Sequence, residues 1–361
     1  MSGKKQAGNA FVSYLRHIFI DGLSGMALGL FATLIVGTIL SQIGAFFSGA
    51  PAFYIGAAAS LAKALTGAGI GVGVAAKYGR APLVTVSCGV AGLVGAFSSK
   101  IIAGAVIVDG AVHLAGPGEP LGAFIAAFVA AELGGLVSGK TKLDILLTPV
   151  VAIASGSAVG LLIGTPISNM MTALGNLINW GTVQQPILMG IVVAVLMGMA
   201  LTLPISSAAI GVILGLSGIA AGAACVGCCA QMVGFAVMSF RENRFGGLIA
   251  QGVGTSMLQM PNIVKRPVVW LPPIIASAIL GPVTTLLGVQ CNATGAGMGT
   301  SGLIGPIMTY QTMVDAGSKP ALVLAEILVL YVAAPAMLTL AVSEPMRRAR
   351  IIRAGDLKLD V

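Results

Sequence analysis

The sequence predicts an all-α fold, a polytopic integral membrane helical bundle of about 10–12 spans. Three observations predict it. Charged residues make up 8% of the chain and hydrophobic ones 57%, whereas soluble domains carry about a quarter charged residues. So few charges cannot cover a water-exposed surface. Apolar runs such as GMALGLFATLIVGTIL, ILLTPVVAIASGSAVGLLIG and ALVLAEILVLYVAAPAMLTLAV approach or exceed the roughly 20 residues a helix needs to cross a bilayer. These runs do not alternate apolar with polar residues, as the strands of a membrane barrel would.

In chain order the expected spans are 20–43, 54–76, 82–98, 100–115, 121–138, 145–164 and 185–203, then 206–222, 224–240, 247–262, 268–288 and 320–342. Segment 100–115 is the weakest, because Lys100, Asp109 and His113 interrupt it. The chain holds 51 glycines and 17 prolines. Small residues let membrane helices approach closely, and glycine and proline permit broken helices where protein or a cavity shelters the backbone. No Pro/Ser-rich linker or charged block divides the chain, so 1–361 reads as a single transmembrane domain.

An internal repeat organises that domain. PVVAIASGSAVGLLIG (149–164) aligns without a gap to PIIASAILGPVTTLLG (273–288), with Pro149/Pro273, Ala152/Ala276, Ala154/Ala278, Val159/Val283, Leu162/Leu286 and Gly164/Gly288 identical. The repeat units are expected at 82–203 and 204–342, after leading helices within 18–80 and before a cytoplasmic basic tail, 343–361. Five spans per unit is an odd number, which makes the repeat inverted. MRRARIIR (346–353) follows the last span, and Lys4, Lys5 and Arg16 precede the first. Basic residues mark the cytoplasmic side, so both termini are expected there.

After the aligned span, each unit carries a polar segment. These are TPISNMMTALGNLINW (165–180) and QCNATGAGMGTSGLIGP (290–306), and Asn169 and Asn292 fall at matching places. No charged residue occurs from 267 to 314, which argues against a solvated loop. Both segments are expected to be re-entrant hairpins. Inverted-repeat transporters bind solutes near the midplane, where helices are broken. Gln290, Asn292, Thr294, Thr300, Ser301 and Asn169 are therefore the candidate substrate-binding residues. They offer neutral donors and acceptors, and the glycines admit close backbone approach.

Ionisable residues at membrane depth are costly and point to function. Glu132 stands in AAFVAAELGGLVSG, where burial favours its neutral form, as proton coupling would require. The bland reading pairs it near a helix end with Lys140 or Lys142. Asp109 and His113 are four apart and would share a helix face, which would suit a proton relay. Asp21, close to Arg16 and His17, reads as interfacial. The net charge of +8 belongs to segment ends, so nucleic acid is not an expected partner and membrane lipid is. CVGCC (225–229) lacks a histidine or a matched second pair and reads as buried apolar residues, not a metal site. No nucleophile set, Walker A sequence or HExxH is present, so the chain reads as a non-enzyme without catalytic residues, metal or cofactor.

Three stretches carry a resemblance: 122–167 (GAFIAAFVAAELGGLVSGKTKLDILLTPVVAIASGSAVGLLIGTPI), 244–263 (RFGGLIAQGVGTSMLQMPNI) and 273–306. In these the chain resembles the PfoR-type proteins, classed with the enzyme IIC membrane component of the bacterial sugar phosphotransferase system. The resemblance implies a multi-pass protein of the bacterial inner membrane, a homodimer, and separate IIA and IIB proteins as phosphoryl-carrying partners. The GITE sequence of glucose-type enzyme IIC is not found here. The expected function is transport of a small polar solute, a sugar or a small anion, at a midplane site. The alternative is a PfoR-like membrane regulator that senses a ligand without moving it and uses the basic tail as its contact.

Overall fold

A computed structural model describes residues 14, 17–182 and 185–359. The protein is an all-α helical bundle, and its only strands among the described residues are two of two residues each. Contacts divide it into two units, 1–169 and 170–360.

In the first unit, α1 (Ile20–Gly44) is an apolar span with π-helical turns at His17–Gly22 and Phe31–Ile35. α2 (Ala50–Ala64) and α3 (Thr66–Lys77) follow with a 55° bend between them. Next come α4 (Pro82–Ala96), α5 (Ser98–Ile102), the hairpin β1 (Ile107–Val108) and β2 (Ala111–Val112), α6 (Pro120–Val137), and the long α7 (Asp144–Thr182), which belongs to this unit through residue 169. Proline at the first position starts both α4 and α6, where its missing N–H costs nothing. α3 packs on α1, and α3, α4 and α6 pack on one another. Glycine makes these crossings close: a Cβ on Gly25 would lie 2.6 Å from the Gly73 carbonyl oxygen.

In the second unit, α8 (Pro186–Thr202), α10 (Gly218–Met238) and α13 (Leu271–Leu286) form a mutually packed core. The short α9 (Ser207–Ile213) precedes α10, while α11 (Phe240–Ile249) and α12 (Met260–Lys265) lie between α10 and α13. α14 (Ala293–Ala296), α15 (Ile304–Asp315) and α16 (Pro320–Arg348) complete the unit, and α16 packs on α10 and α13. Here too backbones meet at glycine. A Cβ on Gly198 would sit 2.6 Å from the Gly227 oxygen, and one on Gly190 2.6 Å from the Pro282 nitrogen.

Among the described residues, six helices are long and apolar enough to cross a membrane, or seven if the bent α2–α3 pair is one span. Two shorter apolar helices, α4 and α8, add to them. The expected 10–12 spans shrink for identifiable reasons. Segment 100–115 is helical only as far as Ile102. Asp109 (φ 51°) and Gly110 (φ 76°) both take left-handed backbone, the two-residue turn that Asp-Gly favours between paired strands. The expected spans 206–222 and 224–240 are largely replaced by α10, because Gly215 and Gly218 adopt positive φ and end the helical path before it. Segment 247–262 breaks into a π turn (Ala250–Gly254), an extended Thr255 and a 3₁₀ turn (Ser256–Gln259).

A further expectation fails. Residues 165–180 are no hairpin, because they continue α7, which runs 39 residues with Pro149 and Pro166 inside it. This stretch has one glycine, against four in 290–302, and its Ala, Leu and Met favour the helix. The residues beyond the last span fold back. After α16 the chain turns at Arg350 (φ 58°), and Ile352 and Leu357 join a core with Phe235, Met238, Ile263 and Val269.

Close glycine contact makes a testable prediction. Gly190→Ala places its methyl against the backbone of Gly281 and Pro282. It is expected to cost about 1–3 kcal/mol, read as a lower Tm in detergent. Gly56→Ala, in α2 with nothing within 4 Å of its Cβ, is expected to leave Tm unchanged or raise it.

Candidate solute site

α10 is the most buried of the spans. Its sequence, GIAAGAACVGCCAQMVGFAVM, is almost wholly small and apolar, so other backbone can lie directly on it. Two broken segments do so. The first is 250–259, described above. The second is 288–303, and the π turn of the first packs on the 3₁₀ turn of the second, Ser301–Leu303.

The second segment is built from residues that take unusual backbone. Gly288 (φ 70°) ends α13, and Cys291 N–H donates to the Gly218 carbonyl at 3.1 Å. Asn292 caps α14, its Oδ1 accepting from Gly295 N–H at 3.0 Å. Gly299, Gly302 and Leu303 all have positive φ, so the chain reverses tightly before α15. A Cβ on Gly299 would lie 2.8 Å from Cys228, and Thr300 Oγ1 reaches Met232 Sδ at 3.5 Å. Cys228 and Met232 lie in the middle turns of the 21-residue α10. The polar segment therefore rests against the centre of a span.

The expected site residues fare differently. Thr300 and Ser301 are buried, and the Ser301 hydroxyl has no hydrogen-bond partner. Asn292 and Gln290 are half-buried and Thr294 is exposed. The Asn292 amide is already engaged by its cap and by a 3.3 Å contact to Met308 Sδ. Asn169 is exposed on α7, in the first unit.

A second polar group on the same helix was not foreseen. Gln231 is fully buried, and its Oε1 accepts from Trp270 Nε1 at 2.8 Å and from Thr202 Oγ1 at 3.3 Å. Its Nε2 has no partner. Thr202 and Ser256 hydroxyls meet at 2.8 Å, which joins the first broken segment to this group. The signal was present in the sequence, since Gln231 is the one amide in the apolar run of α10. A buried polar atom without a partner costs about 1–3 kcal/mol, and such atoms mark places where a ligand can supply the missing bond.

In the first unit, Glu132 is neither isolated nor paired with Lys140 or Lys142. Its Oε1 pairs with the Arg80 guanidinium and lies 3.5 Å from His17 Nε2. His17 Nδ1 is 3.5 Å from Asp21 Oδ2, and the imidazole stacks on Tyr78 at 3.9 Å between ring centroids. Arg80 and Tyr78 come from the link between α3 and α4, which brings them to the ends of α1 and α6. Proton coupling through a lone carboxylate loses its premise here. Asp109 and His113 share no helix face. They are exposed on the hairpin, with His113 N–H donating to the Val106 carbonyl at 2.8 Å. Burial, reinforced by the negative charges of Glu132 and Asp21, pushes the Tyr78 hydroxyl well above the ordinary phenol range.

The family model described as "Phosphotransferase system, EIIC" matches residues 20–359. The chain belongs to this family. It is therefore a multi-pass membrane transport component of the sugar phosphotransferase system. No curated protein matches the sequence. Within this EIIC chain the match spans both broken segments, Arg80 with Glu132, and residues 351–359.

The Tyr78 environment makes a pH prediction. The folded protein holds the phenol neutral, and unfolding releases it to ionise near its ordinary pKa of about 10. Its contribution is complete below pH 10 and is lost as pH rises further. Stability of the wild type should fall between pH 10 and 11, and Tyr78→Phe should fall less steeply, measured by denaturation in detergent. Separately, Arg80→Ala strands the half-buried Glu132. A Tm loss equivalent to about 1–3 kcal/mol is expected at neutral pH.

Proposed function

We propose that this EIIC-family chain binds a small, neutral polar solute where its two broken segments meet on α10, and moves it across the bacterial inner membrane. One observation carries the reading: Gln231 Nε2 and Ser301 Oγ are both buried, both without partners, and both belong to the elements that meet there. A solute hydroxyl or carbonyl would complete them. Neutral donors and acceptors of this kind suit a sugar or polyol better than an anion, because no cation is among the groups named. Broken backbone beside a central helix is the arrangement that transporters use for midplane sites.

The wider setting belongs to the same proposal. Basic residues at both ends of the chain support cytoplasmic termini. The Pro149/Pro273 register supports an internal duplication. Homodimerisation and separate IIA and IIB partners follow from the family resemblance. The regulator alternative would use the basic tail 346–353 as its contact, and there Arg347 makes a two-pronged, part-buried pair with Glu242 at 2.8 and 3.1 Å.

The experiment is a thermal-shift panel of sugars, polyols, nucleosides and inorganic anions on the purified protein, followed by titration of each hit. Ser301→Ala and Gln231→Leu are the diagnostic variants. Ser301→Ala removes only an atom that lacks a partner, so the unliganded protein should keep or gain Tm, whereas Gln231→Leu also takes the acceptor from Trp270 Nε1 and Thr202 Oγ1 and should lower it. Each should also weaken binding of a hit by about tenfold or more, the equivalent of about 1.4 kcal/mol. Unchanged affinity in both variants would remove the site from α10. Asn292→Ala is the less useful variant, because loss of its cap alone costs about 1 kcal/mol.

A further inference from the structure

The residues beyond α16 are held by an unusual set of contacts. Asn243 binds the segment from both sides: its Nδ2 donates to the Leu357 carbonyl at 2.8 Å, and its Oδ1 accepts from Leu359 N–H at 2.9 Å. Gln259 Nε2 donates to the same Leu357 carbonyl at 3.0 Å, and Asn262 Nδ2 to the Lys358 carbonyl at 2.9 Å. Arg266 donates to the Ile351 carbonyl at 2.8 Å and lies 3.6 Å from Asp356. Leu357 and Ile352 are buried in the core beneath.

The same amides continue into the first broken segment. Gln259 Nε2 also donates to Gln251 Oε1 at 2.8 Å, and Asn262 Nδ2 donates to Gln259 Oε1 at 2.8 Å. Gln251 Nε2 donates to Ser239 Oγ at 2.8 Å and to the Gly247 carbonyl at 2.9 Å. Gln251 and Gln259 flank Ser256, the residue that meets Thr202. Both hydrogens and the oxygen of each of these glutamines are used. Satisfied buried networks rigidify what they join. Removing the C-terminal segment leaves the Gln259 and Asn262 amides each one acceptor short and strips Asn243 of both contacts.

From this geometry we propose that residues 351–359 are a strap that sets the position of segment 250–262, and that displacement of the strap is the step that frees this segment to admit solute. The proposal rests on the reading of the α10 site given above. The strap holds by hydrogen bonds to its main chain and by two principal apolar anchors. It can therefore detach as a unit without unfolding the α8–α10–α13 core, because it contributes no part of those helices.

Peptide-resolved hydrogen exchange on the full chain in detergent tests this without a solute. Leu357→Asp places a charge in the buried anchor and releases the strap. Exchange across 247–262 should rise roughly tenfold or more, while α8 and α13 keep wild-type protection. The pair N243C with L359C provides the opposite arm. Oxidised to a cross-link, it should exchange more slowly across 247–262 than the same pair reduced, which lacks the two Asn243 contacts and should exchange faster than the wild type. Three outcomes overturn the proposal: unchanged exchange across 247–262 on strap release, an equal rise in every helix, or no slowing in the cross-linked chain. These results are independent of the solute. If exchange responds but Ser301→Ala and Gln231→Leu bind normally, the strap stands and the site assignment falls.

Discussion

The second unit depends on one constraint: irregular backbone inside an apolar chain must be sheltered by protein. N–H and C=O groups without helical partners cannot be left facing hydrocarbon. Here α10 provides the shelter. Its small residues let Gly299 come against Cys228, and a Cβ on Gly305 would nearly touch Cys225 Sγ. Larger side chains on α10 would push both broken segments away and expose their peptide groups. The apolar, glycine- and cysteine-rich character of α10 is thus what makes a polar segment at the centre of the unit tolerable.

Polar groups then separate into two populations. Most are engaged and hold the structure, such as the Asn292 cap and the Gln251–Gln259–Asn262 network. A few are buried and unsaturated, among them Gln231 Nε2 and Ser301 Oγ. The distinction matters because both populations look alike in the sequence. Asn292 and Ser301 stand nine residues apart in the same glycine-rich run, yet the first amide is already used and the second hydroxyl is free. The first unit follows a different logic. Several of its ionisable residues gather near helix ends, where Arg80 pairs with Glu132, His17 lies beside them, and all three remain partly exposed.

Much of this was legible from residues alone. Low charge and long apolar runs determined the membrane class, because no other environment accepts so much hydrocarbon. The glycine-rich run 290–302 announced a break, because glycine there can take the positive φ that other residues resist. The stretches 122–167, 244–263 and 273–306 carried the family. Ser301 and Thr300 do lie in a broken segment. Asp109-Gly110 held a readable hairpin signal that the apolar context around it obscured.

Tertiary structure decided the rest, and the reason is the same in each case: a residue's partner lay far away in the chain. Glu132 is 52 residues from Arg80, while Lys140 and Lys142, near it in sequence, are not its partners. Gln231 became a candidate only when Trp270 and Thr202 took its oxygen and nothing took its nitrogen. The C-terminal residues looked like a basic tail because charge is local. Their burial depends on Asn243, Gln259 and Asn262, about 100 residues earlier. Composition and local propensity determine the solvent a chain belongs in and where its backbone can break. Which polar atoms are spent and which are left for a ligand is settled only by long-range packing.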